Sequence, residues 1–269
     1  MRRNLILLLC LAVLCNSHAQ GNKEDVQIIE QQIWPGIKYA PGFSFRSLFP
    51  GHYEEKFILT RDHIKLHGLL FKSSVAKGLV FYLHGSNGGV NVWGKIAPTY
   101  TGLGYDFFVL DYRGYGKSEG KNTDDQQLFN DVQDVYNYLI KSYSEDRMVI
   151  IGQSIGTGPA AWLAANNYPK KLILQAPYYS LTDWIQHLVP GIDTSFIRYK
   201  LNTFQYIQQT KVPITIFHGD ADEAVYYSSS VKLKAFFKQG DELITLTGEG
   251  HNDFTKNKDY LRSLMLILK

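Results

Sequence analysis

Three observations in the 269-residue sequence predict an α/β domain built on a mostly parallel sheet. Short, near-continuous runs of Val, Ile, Leu and Phe alternate with longer amphipathic stretches. The later runs lack the apolar/polar alternation of a one-sided strand, as strands covered on both faces do. Most successive runs are separated by the dozen or more residues that a parallel crossover needs. With 45% apolar and 20% charged residues, the composition fits one large globular unit.

The first segment has another character. Arg2 and Arg3 precede the apolar run Leu5 to Leu14 and the small-residue end Ser17-His18-Ala19, the pattern of a secretory signal peptide over residues 1–19. Secretion or periplasmic export is the expected destination. Lipidation at Cys15 is the weaker alternative, because Leu14 is bulkier than the small residue such a site prefers. Both cysteines, Cys10 and Cys15, fall in this segment, so the chain beyond it has no thiol for disulfides, zinc or nucleophilic attack. Removing Arg2 and Arg3 from the formal charge of +3 leaves +1, and no Lys/Arg block points to nucleic acid or an anionic membrane. No later stretch approaches the roughly 18 apolar residues of a membrane-spanning helix.

Residues 20–50 read as an N-terminal extension rich in Gly, Pro and aromatics, ahead of the main domain at 51–269. Phe57 to Thr60 and Ile64 to Lys72 form an expected antiparallel pair around the turn Arg61-Asp62-His63. Strands follow at Leu79 to Leu83, Phe107 to Leu110, Met148 to Ile151, Leu172 to Leu174, Ile214 to Phe217 and Leu243 to Leu246. Crossover helices are expected over Asp124 to Lys141, Ile155 to Asn166, Ser228 to Lys238 and Asp253 to Leu268. Residues 178–211 are too long for a plain crossover and read as a small lid carrying Trp184, Tyr199 and Phe204.

The chemistry starts where Met148-Val149-Ile150-Ile151 runs into Gly152-Gln153-Ser154-Ile155-Gly156 and then a helix. The five-residue pattern is weak evidence in a chain with 23 glycines, but its strand-turn-helix setting is that of a nucleophile elbow. Such a turn is strained, and the residues two before and two after the serine must be small because strand and helix meet there. A serine hydroxyl needs a histidine base, and the histidine needs an acid to fix its tautomer. His251, in a loop after the last strand, is the expected base. His52, His63 and His67 precede the serine and suit surface or packing roles; His84 and His218 suit loop bracing, and His187 an exposed position on the lid. Asp220, Asp222 and Glu223 compete as acid, and Asp222 is favoured by its place in the loop. Oxyanion donors are expected from the N–H of Ile155 and, in the loop Leu83-His84-Gly85-Ser86-Asn87-Gly88-Gly89, the N–H of Ser86.

These blocks, with Asp111-Tyr112-Arg113-Gly114-Tyr115-Gly116-Lys117-Ser118-Glu119-Gly120, His218-Gly219-Asp220-Ala221-Asp222 and Gly250-His251-Asn252, resemble the α/β-hydrolase superfamily over roughly residues 54–269. Within it they are similar to the BEM46-like, serine-peptidase-like branch. The resemblance implies an α/β-hydrolase fold with an eight-stranded, mostly parallel sheet and a Ser154, Asp222, His251 triad. It also implies cleavage of an ester, thioester or amide of a small acyl compound, with no cofactor or metal. Asp111 and Arg113 would brace the site. Two departures stand out: Tyr226 follows Val225 where the family often has proline, and Gln153 precedes the serine where relatives often carry arginine. A peptidase or acyltransferase could use the same set. A non-catalytic binding module is the contrasting reading, against which stands the intact set of Ser, Asp and His.

Overall fold

The computed structural model describes residues 23–49, 51 and 53–269; the expected leader at 1–19 and His52 lie outside them. The described residues form one eight-stranded sheet of order β1-β2-β4-β3-β5-β6-β7-β8. Its strands are β1 Tyr53–Leu59, β2 Lys65–Phe71, β3 Gly78–Leu83, β4 Tyr105–Asp111, β5 Met148–Gln153, β6 Lys171–Gln175, β7 Ile214–Gly219 and β8 Glu242–Leu246. The β1, β2 and β4 contacts are antiparallel, and every pairing from β4 across to β8 is parallel. The hairpin and the apolar runs therefore become the strands expected from their patterning.

Alternation along the central strands splits the core into two layers. Phe81 and Ile150 face one layer, while Val80, Tyr82, Val149 and Ile151 face the other. The first layer is covered by α1 (Lys23–Ile33), α4 (Asp125–Leu139), α5 (Thr157–Asn166), the insertion and α8 (Ser228–Lys234). The second is covered by the short α2 (Val90–Trp93) and α3 (Ala97–Thr101), the extension around Phe45 and Phe49, and the terminal α9 (Lys258–Ile267). In the crossover α4, Leu128, Val132, Val135, Tyr136 and Leu139 are buried, and Asp124 caps its first turn by accepting from the Gln127 N–H.

The extension is more ordered than a Gly/Pro-rich tail. Val26, Ile29 and Ile33 lie at helical spacing on α1 and are buried, along with Glu30. Trp34 then wedges its ring among Tyr112, Tyr115 and Tyr199, at centroid distances of 5.4, 6.5 and 5.6 Å. Glu30 accepts from Arg198 Nε (2.7 Å) and from the Arg198 and Tyr199 N–H groups, pinning the extension to the insertion. A buried carboxylate is tolerated here because it is paired and hydrogen-bonded.

The insertion between β6 and β7 contains α6 (Leu181–Leu188), a 3-10 turn at Thr194–Phe196 and α7 (Thr203–Gln209). Ser180 caps α6 by accepting from the Asp183 N–H, and α7 packs along α5. Trp184 and Tyr199 turn inward and are buried, while Phe204 stacks on Tyr179 at 4.6 Å.

Candidate active site

At the end of β5 the chain turns sharply. Ser154 has φ +52°, a left-handed conformation that side chains other than glycine rarely adopt, and a 3-10 turn at Ser154–Gly156 leads into α5. A Cβ added at Gly152 would lie 2.6 Å from the Gly156 carbonyl oxygen and 2.7 Å from Ala160 Cβ. One at Gly156 would lie 2.1 Å from the Leu83 carbonyl oxygen. Both glycines thus meet the steric demand inferred from the motif. Thr157 Oγ1 donates to the Ser154 carbonyl (2.6 Å), and the buried Tyr178 hydroxyl donates to the Ile155 carbonyl (3.1 Å) while accepting from the Gly158 N–H (3.0 Å). These bonds hold a backbone that would otherwise relax.

The loops after β7 and β8 bring the other two residues to the serine. In the tautomer these two partners suit, the Ser154 hydroxyl donates to His251 Nε2 at 2.9 Å, and His251 Nδ1–H donates to Asp222 Oδ2 at 2.8 Å. The Asp222 side chain is fully buried. It also accepts from the Ala224 and Val225 N–H groups at Oδ1 (2.8 and 2.9 Å) and contacts His218 Nε2 at 3.1 Å. Burial by itself would raise this carboxyl. Hydrogen bonds from His218, His251 and the Val225 N–H outweigh it and hold Asp222 well below the usual carboxylate range. Asp220 is exposed and accepts from the Gly248 N–H, a turn role, and Glu223 is exposed. Of the three competing carboxylates, Asp222 is the one joined to His251.

The loop after β3 lies against the serine: a Cβ at Gly85 would sit 3.5 Å from Ser154 Cβ. His84 Nδ1–H donates to the Gly85 carbonyl at 2.7 Å, and burial pushes this ring down to about 4, so it is neutral at ordinary pH. Because C=O and N–H point opposite ways across a trans peptide, holding the Gly85 oxygen fixes the direction of the Ser86 N–H. That N–H has no acceptor among the described residues. Ile155 follows the serine and is buried.

The remaining histidines behave as packing or surface residues. His67 is buried on β2 with Nδ1 2.8 Å from Asp111, and His63 occupies the hairpin turn at φ +62°. His187 is exposed with its ring against Tyr226. Asp111 braces the neighbourhood by accepting from the Val90 N–H (2.9 Å) and the Tyr39 hydroxyl (3.0 Å). Arg113 instead ties Asp62 to Asp131. Two contributors, Gln153 and the Trp184 indole, escape the sequence reading, and the third, His218, braces its loop as expected but does so at the acid itself. Gln153 Nε2 donates to the His251 carbonyl (3.1 Å), His218 braces the acid directly, and Trp184 Nε1 donates to the Ala224 carbonyl (2.7 Å) beside it. The glutamine before the serine is the available signal for Gln153; the contacts of His218 and Trp184 with the acid loop depend on tertiary approach.

Among the described residues, no group of three or more His, Cys, Asp or Glu side chains is arranged to hold a metal, and no helix is long and apolar enough to cross a membrane.

Comparison with known proteins bears on the fold and the family. A family model described as serine aminopeptidase, S33 matches residues 74–203. Human α/β hydrolase domain-containing protein 17B is 30% identical over 195 residues, covering 70% of this chain and 65% of its own length. The Caenorhabditis elegans α/β hydrolase domain-containing protein aho-3 is 28% identical over 190 residues, covering 68% of this chain and 56% of its own. The chain thus spans somewhat under two thirds of each of these relatives. Among solved structures, an esterase of Pyrococcus furiosus superposes with a TM-score of 0.69 at 18% identity, covering 86% of this chain and 94% of its own.

Proposed function

Because the chain belongs to the α/β-hydrolase superfamily, we propose that it is a serine hydrolase cleaving a carboxylic ester, or a thioester or amide, through an acyl-enzyme on Ser154. The observation that carries this reading is the chain of hydrogen bonds from Ser154 through His251 to Asp222, with the serine in a left-handed turn.

In the reaction the Ser154 Oγ attacks the substrate carbonyl carbon while His251 Nε2 takes its proton. Asp222, ionised and buried, keeps the proton on Nδ1 and stabilises the imidazolium that forms. Negative charge on the carbonyl oxygen is met by the N–H groups of Ile155 and Ser86, each worth about 3 kcal/mol of transition-state stabilisation in comparable sites. His251 then gives its proton to the departing alcohol, thiol or amine. Water attacks the acyl-enzyme by the same steps in reverse and frees Ser154.

The serine aminopeptidase description of the matching family favours amide cleavage as a second reading. Both are tested together. Ser154→Ala is expected to abolish turnover of a short p-nitrophenyl ester and of an aminoacyl p-nitroanilide, and to abolish labelling by a fluorophosphonate. Retained labelling would sink the assignment, and the ratio of the two wild-type rates separates esterase from peptidase. The N-terminal pattern at residues 1–19 supports secretion or export, which detection of the processed chain outside the cytoplasm would test.

A further inference from the structure

We propose that Trp184 is a positioning residue that couples the insertion to Asp222, by fixing the one peptide unit that aims the Val225 N–H at the carboxylate. The inference rests on the roles assigned above to Ser154, His251 and Asp222. Trp184 lies on α6, and its Nε1–H donates to the Ala224 carbonyl at 2.7 Å. That carbonyl and the Val225 N–H belong to the same peptide unit, and the N–H donates to Asp222 Oδ1 at 2.9 Å. The two groups point in opposite directions across a planar trans peptide, so holding the oxygen on one side sets the direction of the hydrogen on the other. Donation into the carbonyl also polarises the unit and strengthens its outgoing bond. This is the arrangement by which His84 orients the Ser86 N–H, repeated on the acid side of the site.

Packing does not require the polar contact. Leu181 and Ile185 bury the same helix without any, at 0% and 1% exposure. A buried indole N–H usually finds an acceptor, although that of Trp34 has none among the described residues, and for Trp184 the acceptor is a backbone group whose partner end serves the acid. The helix is fastened to the same segment a second time. Asp183 accepts from the Tyr226 hydroxyl and from Lys232 Nζ, the latter at 2.6 Å. The neighbouring Val225 carbonyl lies 2.9 Å from His218 Nε2. Movement of α6 therefore moves a donor to Asp222, and an acyl group that displaces the helix alters the acid.

Trp184→Phe keeps most of the ring and deletes the N–H. For a short p-nitrophenyl ester it is expected to lower kcat roughly fivefold, the worth of about one hydrogen bond, with KM nearly unchanged. In the Asp222→Asn background the same change is expected to cost nothing further, because the effect runs through that carboxylate. The low-field proton resonance of His251 Nδ1–H is expected to shift or broaden. Val135→Ala, a buried position on α4, is the packing control, expected to lower Tm while leaving kcat. Trp184→Tyr replaces Trp184→Phe if the latter does not fold. Unchanged kcat in the folded variant, or an equal loss in both backgrounds, would overturn the proposal. Fluorophosphonate labelling of Ser154→Ala would instead overturn the reading of Ser154, so the two failures are distinguishable.

Discussion

Gly156→Ala tests the closeness with which the nucleophile turn and β3 meet. The new methyl carbon would lie 2.1 Å from the Leu83 carbonyl oxygen, 2.6 Å from Leu83 C and 2.8 Å from the His84 carbonyl oxygen. Ordinary contact begins near 3.4 Å, so the two segments must part by about 1.3 Å, and both are backbone that cannot swing aside. Overpacking of this kind costs roughly 1 to 3 kcal/mol, or roughly 2 to 12 °C in Tm for a domain of this size. Activity should suffer more. The displaced strand end leads into His84, Gly85 and Ser86, and a shift of about 1 Å between nucleophile and oxyanion donors can cost on the order of 100-fold in rate. The assay is kcat on a p-nitrophenyl ester with Tm by calorimetry, and Gly250→Ala as control, since a methyl there meets nothing within 4 Å. A Gly156→Ala protein with kcat within twofold of wild type and unchanged Tm would refute the reasoning.

Two further predictions follow from the same site. Ser154→Gly should melt higher than Ser154→Ala by roughly 2 to 4 °C, because glycine relaxes the φ of +52° that costs a side chain about 1 kcal/mol or more; equal melting temperatures would remove the case for strain. Asp222, held below the ordinary carboxylate range in the folded chain, contributes stability that is present above the unfolded value of about 3.9 and lost as pH falls below it. Urea unfolding should therefore show wild type more stable than Asp222→Asn near neutrality, with the gap closing below about pH 4; a gap that widens on acidification would contradict the sign.

Local patterning made the sheet and the serine turn legible, because each is written in contiguous residues. An apolar run flanked by glycines two before and two after Ser154 specifies both a strand end and the steric gap beyond it. His251 and Asp222 were legible through chain order and loop position, which the topology translates into contact. Helix α1 is not legible because its buried apolar residues Val26, Ile29 and Ile33 are diluted by seven charged or amide side chains within Lys23–Ile33, so the composition resembles a polar tail. Its stability comes from tertiary burial, which periodicity over so short a span understates. From sequence, His218 reads as a loop brace and Trp184 as a lid aromatic. Their bonds to the acid loop depend on separate elements converging, and no spacing in the sequence encodes that.

The Glu30–Arg198 clamp has a consequence for how this scaffold can be re-engineered. The N-terminal helix and the insertion are far apart in sequence, yet Glu30 is buried against Arg198 and Tyr199, and Trp34 packs on the same tyrosine. The two decorations form one composite element and are not interchangeable modules. A chimaera that imports another insertion while retaining Lys23–Ile33 would strand a buried carboxylate, so grafts aimed at new acyl groups should exchange both pieces together.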